Sequence, residues 1–147
     1  MKNILVALMM LVSPVLLAQD LFMVRSQLPF PEAMSALQQS IGKSGYKVSR
    51  VQRVDIGLTK SGYKTDKYRV VFFGDADELR AVSDRHPELI PYLPLKISIF
   101  AENDETLLLA SSFKHLRPFY PGPDLQLQFD RWESTIRDIL ERVRVAE

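Results

Sequence analysis

The sequence contains no cysteine. That excludes disulfides, thiolate metal centres, a cysteine nucleophile, covalent haem attachment through a CxxCH string and a lipid anchor on cysteine, so stability has to come from packing. An excess of either charge is also missing: 19 Lys and Arg stand against 18 Asp and Glu. Lys2, the sole charged side chain of the first 18 residues, accounts for the difference. A balanced chain lacks the electrostatic footprint that nucleic acid requires, and no nucleic-acid partner is expected.

Catalytic signatures are scarce as well. The only histidines are His86 and His115, and neither belongs to a GxSxG or HExxH pattern, so the reading leans away from an enzyme and assigns no catalytic residue. Gly62 and Lys64 lie close together in a Lys- and Gly-rich stretch, but the phosphate-loop spacing and a following helix are absent, which makes the stretch a solvated turn. The carboxylate pairs Asp75/Asp77 and Asp104/Glu105 lack the further oxygen ligands of an EF-hand and read as cap and turn residues. There is no internal repeat and no low-complexity linker.

What is present is the composition of one globular domain: 147 residues, 46% hydrophobic and 25% charged. The amino-terminal residues have a separate character. Lys2 precedes an apolar run of about 14 residues from Ile4 to Leu17, broken by Ser13 and Pro14 and followed by Ala18-Gln19-Asp20, which is the pattern of a secretory signal peptide and too short to span a bilayer as a helix. Cleavage after Ala18 is expected, leaving residues 19–147 as a single domain in the periplasm or secreted, without stable membrane insertion. Leu16 is bulky for the position three before the cut, so retention as an amino-terminal anchor stays open.

Two strand patterns meet across a turn between Pro91 and Ser112. Leu95, Ile97 and Ile99 alternate with Lys96, Ser98 and Phe100, Glu102 to Glu105 supply turn chemistry, and Thr106 to Ala110 return as an apolar run, which predicts a β-hairpin. A first strand is predicted over Leu21–Gln27, stopped by Pro29. A helix follows, with Phe30, Met34, Leu37 and Ile41 at spacings of four, three and four, Pro31 at its start and Gly45 as a left-handed cap. From Tyr46 the period changes to two. Val51 and Val54 fall out of step near Arg50, as a bulge would cause, before Ile56 and Leu58 resume the strand pattern. Tyr68–Phe73 is predicted to be a central strand covered on both faces. Asp75 or Asp77 caps a short helix carrying Leu79 and Val82, ended by the prolines at 87, 91 and 94.

The last element is a long amphipathic helix. Leu125, Phe129, Trp132, Ile136, Ile139, Leu140 and Val143 share one face, Asp124 is its expected cap, and Glu133/Arg137 and Asp138/Arg142 are expected to pair four apart. Between hairpin and helix lies Phe113–Pro123, proline-rich and aromatic, which has to pack on something. It is the candidate binding surface: Phe119 and Tyr120 would form a wall, with His115 and Arg117 as polar contacts. A plain seal between sheet and helix is the alternative.

The order of elements and the strings Val24-Arg25-Ser26, Gly45-Tyr46, Val70-Val71-Phe72-Phe73-Gly74 and Leu93-Pro94-Leu95-Lys96-Ile97 resemble the domain of unknown function 302 family, from about Leu21 to about Ser112. The resemblance implies an α+β fold, a two-layer α/β sandwich with a mostly antiparallel sheet of about five strands, helices on one face and the long carboxy-terminal helix. Many members carry an Asn-Pro pair where this chain has Gly74-Asp75-Ala76-Asp77. Some members are dimers, which places a homodimer among the expected partners. No activity comes with the resemblance. Two functional readings remain: a non-enzymatic domain binding a small ligand or another protein, or non-covalent haem or metal binding through His86 or His115.

Overall fold

The computed structural model describes residues 20–147. The expected signal peptide and its cleavage site lie outside the described residues. The chain runs through β1 (Leu21–Ser26), α1 (Phe30–Lys43), β2 (Lys47–Arg53), α2 (Val54–Lys60), β3 (Tyr68–Gly74), α3 (Ala76–Arg85), β4 (Leu95–Glu102), β5 (Glu105–Ser111) and α4 (Pro123–Arg144). Short 3₁₀ segments occupy Pro87–Tyr92 and Arg117–Phe119.

The strands form one sheet in the order β1-β5-β4-β3-β2, with every pairing antiparallel. β1 and β2 are consecutive in sequence yet occupy opposite edges, so α1 has to cross the whole sheet to connect them. Strand alternation gives the sheet one buried face: Phe22, Val71, Phe73, Leu95, Ile97, Ile99, Leu108 and Ala110 all lie within the core. Against it lie Ala33, Leu37 and Ile41 of α1 and the complete predicted stripe of α4, Leu125, Phe129, Trp132, Ile136, Ile139, Leu140 and Val143. The two helices meet at Ser40, whose small side chain lets them approach. Its hydroxyl donates to the Ile139 carbonyl at 3.1 Å and accepts from Arg142 Nε at 2.9 Å.

The bulge near Arg50 is present: the β2–β3 register shifts between Val48 and Arg50. Asp75 is the cap of α3, its carboxylate accepting from the Glu78 N–H at 2.8 Å. The hairpin turns at Asn103-Asp104, with Asn103 at φ 56°, a conformation its short polar side chain tolerates.

Four expectations change. Ile56 and Leu58 do not resume a strand but lie in α2, which Asp55 anchors through an ion pair to Arg69 of β3. The helix closes as α1 does. Tyr63 N–H reaches the Leu58 carbonyl and Gly62 N–H that of Thr59, both at 3.0 Å, with Gly62 at φ 88°, a Schellman motif that favours glycine. β3 is covered on one face only; Val70 and Phe72 on the other remain half-buried. Asp124 does not cap α4, whose cap is Gly122 followed by Pro123. The pairs expected along α4 are replaced by tertiary partners. Glu133 accepts from Phe113 N–H at 2.7 Å and from Arg117 at 3.3 Å, Arg137 lies 4.2 Å over the Phe22 ring, and Arg142 holds Ser40.

Candidate functional site

The segment Phe113–Pro123 is bound to α4 along much of its length. Phe113 stacks on Phe129 with ring centroids 4.9 Å apart and planes at 8°, and also meets Trp132 at 5.4 Å. Arg117 reaches down to α4 from the 3₁₀ turn, donating to Asp130 at 2.8 Å, Glu133 at 3.3 Å and the Gln126 side chain at 3.0 Å. Its guanidinium also lies 5.7 Å over the Phe129 ring. With its donors directed at three side chains of α4, Arg117 works as a strut. Tyr120 is half-buried, edge-on to Phe129, and its hydroxyl donates to the Glu88 carbonyl at 3.5 Å. Phe119 points away from all of this and is 77% exposed.

The two histidines occupy different environments. His86 Nε2 is 2.8 Å from Asp124 Oδ2, and its Nδ1 is 3.4 Å from Glu88. This bond to His86 holds the Asp124 carboxyl below the usual carboxylate range. His86 thereby ties the start of α4 to the end of α3. His115 is exposed at the edge of a cavity that Arg117, Phe119 and Tyr120 do not line. Among the described residues no group of three His, Asp or Glu side chains is placed to hold a metal ion.

That cavity has a cause in the sheet. The β4–β5 ladder runs from Glu102↔Glu105 to Ser98↔Leu109 and stops. Beyond it β4 continues on β3 as far as Phe73↔Leu95, and β5 continues on β1 as far as Leu21↔Ser111. The two central strands part like an opened seam. Continuing that register, Ile97↔Ala110 would come next as a non-bonding pair and Lys96↔Ser111 after it as a hydrogen-bonding one, so alternation along an antiparallel ladder directs the backbone N–H and C=O of Lys96 and Ser111 into the gap.

The opening holds about 130 Å³ and is lined by Tyr92, Lys96, Ser112, Phe113, His115 and Leu116 together with Pro91, Leu95, Ser111 and Ile136. Its inner wall is apolar, with Leu95, Phe113, Leu116 and Ile136 buried. Lys96 and His115 stand exposed at its mouth. The arrangement suits a small flat molecule whose apolar body lies inward and whose polar end meets a lysine and free strand edges. Of the residues singled out from sequence, the structure brings only His115 to this place. Lys96, Ser111 and Tyr92 were missed, since alternation tells which face a strand residue takes but not where two strands separate.

A single five-stranded antiparallel sheet with helices on one face defines a two-layer α+β sandwich. Within that class, the family model described as a domain of unknown function, DUF302, matches residues 22–143, which extends through most of α4, well past Ser112. The chain belongs to this family. No curated protein matches it. Its fold is similar to that of a crystal structure described as an uncharacterised conserved protein DUF302 from Bacillus stearothermophilus, with a TM-score of 0.78 and 20% identity over 86% of this chain and 100% of that one. At that identity the likeness is one of fold.

Proposed function

We propose that this DUF302 protein is an exported, non-enzymatic domain that binds a small single-ring carboxylate in the seam between β4 and β5. One observation carries the reading: two central strands part over an apolar cavity of about 130 Å³ with Lys96 and His115 at its mouth. A volume of this size is comparable with cavities of about 150 Å³ that take up benzene. Phe113 and Leu116 would contact the ring, Lys96 would meet the carboxylate, and the unpaired backbone groups of Lys96 and Ser111 would orient it. Export is supported by Lys2, the apolar run Ile4–Leu17 and Ala18. The alternative of haem at His115 calls for far more room than this seam offers, and His86 is already engaged by Asp124 and Glu88.

Benzoate is a suitable probe. Titrated into protein isolated from the cell envelope, it is expected to raise the melting temperature and to shift the resonances of Tyr92, Phe113 and His115, whereas Lys96→Ala weakens binding about tenfold, the loss of one charge-assisted contact. Leu116→Trp, which fills the cavity, abolishes it. Benzoate shifts spread over the surface, or binding unaltered by both substitutions, would overturn the reading.

A further inference from the structure

The charges that balance over the whole chain are unevenly spread along it. Between Lys43 and Arg69 eight Lys and Arg stand against two Asp, while the other residues from Asp20 onward carry ten Lys and Arg against 16 Asp and Glu. Of the eight, Arg69 is bonded to Asp55. The other seven, from Lys43 to Lys67, are exposed, and among the described residues none of them lies in an ion pair. The fold collects them on one side of the molecule. β2, at one edge of the sheet, carries Lys47, Arg50 and Arg53; Lys43 ends α1 just before it, and α2 with its closing turn supplies Lys60 and Lys64. A strand of seven residues makes this a cationic ridge about 24 Å long.

Apolar side chains stand out among these cations. α2 contains Val54, Ile56 and Leu58 yet buries none of them. Ile56 is 37% exposed, and Tyr63, in the turn after α2 between Lys60 and Lys64, is 65% exposed. The turn does not require this. Tyr46, which follows the glycine cap of α1 in the same way, packs on Phe73 with ring centroids 5.9 Å apart. An acidic peptide could use the cations by adding itself to β2 as a further strand. The register shift between Val48 and Arg50 and the basic side chains along the strand oppose that, since both devices blunt a sheet edge. A peptide on β2 would also leave Ile56 and Tyr63 in water. An anionic bilayer surface takes both features together: lysine heads reach lipid phosphates while their stems lie along apolar surface, and a tyrosine ring sits well at headgroup level.

We propose that the β2 edge and α2 form a peripheral docking surface for a bilayer rich in anionic glycerophospholipid. Ile56 and Tyr63 enter the headgroup layer, and Arg53, Lys60 and Lys64 meet the lipid phosphates around them. The docking is reversible and needs no spanning segment; among the described residues no helix is long and apolar enough to cross a membrane. The rest of the molecule, with its excess of Asp and Glu, is repelled by the same surface, which orients the ridge toward the lipid. The seam between β4 and β5 takes no part in this contact, and each stands or falls alone.

Sedimentation with vesicles of phosphatidylglycerol, and separately of phosphatidylcholine, tests it on the protein as isolated from cells. Partitioning onto phosphatidylglycerol is expected to exceed that onto phosphatidylcholine at least about tenfold at about 0.1 M salt and to fall away at about 0.5 M. Lys60→Ala combined with Lys64→Ala is expected to weaken it about 25-fold, about fivefold for each charge near an anionic surface. Tyr63→Ala should cost about fivefold through lost apolar contact. These side chains are exposed, so far-UV circular dichroism stays unchanged. Arg131→Ala combined with Arg144→Ala removes the same charge from α4, which packs on α1, β1 and β5, and is expected to leave partitioning as it was. Equal sedimentation with the two vesicles, or none with either, overturns the proposal. An equal loss in the α4 variant overturns it too, because net charge and not this ridge would then govern binding. Polyglutamate bound in free solution as tightly as the vesicles, with Tyr63→Ala without effect on either, would make the partner an acidic polypeptide and overturn it likewise.

Discussion

Glu78 joins three elements through one carboxylate. It accepts from Trp132 Nε1 at 2.9 Å, Gln128 Nε2 at 3.0 Å and the Tyr46 hydroxyl at 3.3 Å, so a residue near the start of α3 satisfies the indole N–H of a fully buried tryptophan in α4. Tyr46 responds to this position. Burial first, and then the negative charge of Glu78, push its phenol up to about 12. Below about pH 10 folded and unfolded chains both keep the proton. Between about 10 and 12 only the unfolded chain releases it, so this side chain makes stability fall as pH climbs through that window. Urea midpoints at pH 9 and pH 11 check it: Tyr46→Phe should lose less stability between the two than the wild type. An equal loss in both proteins would show that Tyr46 titrates alike in the folded and unfolded states.

Two helices end on one string. Lys-Ser-Gly-Tyr-Lys occurs at residues 43–47 and again at 60–64, and each time the glycine takes a positive φ, 82° at Gly45 and 88° at Gly62. Both copies close a Schellman motif, Tyr46 N–H bonding Ile41 O at 3.2 Å and Tyr63 N–H bonding Leu58 O at 3.0 Å. The packing behind them differs. α1 buries Ala33, Leu37, Ser40 and Ile41, whereas α2 buries nothing. A Cβ at either glycine costs about 1–2 kcal/mol in the left-handed conformation. At Gly45 the strain cannot be relieved without uncovering the core, so Gly45→Ala should lower global stability by about that amount. At Gly62 the cheaper outcome is fraying of α2. Gly62→Ala is therefore expected to leave the urea midpoint nearly unchanged while speeding amide exchange at Tyr63; an equal midpoint loss for both would contradict this account of α2.

Across the whole molecule the sheet order forces long-range closure, since α1 must cross from β1 at one edge to β2 at the other. The core that results is continuous, from Phe22 of β1 through Leu37, Phe73 and Ile97 to Trp132 and Val143. No part of it can open alone without exposing the rest, which is the condition for two-state unfolding. Trp132 fluorescence, which reports on α4, and far-UV circular dichroism, which reports on every element, should give superimposable urea transitions. A tryptophan transition at lower urea would mean that α4 detaches first.

Much of this fold was legible in local chemistry. Alternation at Leu95–Phe100 and Thr106–Ala110, a turn of Asn103-Asp104 and a seven-residue stripe on α4 each need only neighbouring residues to declare themselves, and each formed as expected. α2 was missed although Gly62 repeats the cap of Gly45, because Ile56 and Leu58 fit a strand period as well as a helix and seven residues are too few to decide between them. Of the candidate site, His115 was found and the seam was not. Side-chain partners were the least legible. Glu133, Arg142 and Asp124 all left the neighbours that helix spacing offered and joined Phe113, Ser40 and His86 instead. Along α4 a pair four residues apart gains little in water, whereas a partner brought by another element is met where solvent is partly excluded and each hydrogen bond is worth more. Periodicity and turn chemistry belong to the chain segment and act before it folds; the parting of β4 from β5 and the identity of each ion-pair partner depend on which elements become neighbours, which is settled only when distant segments compete for one core.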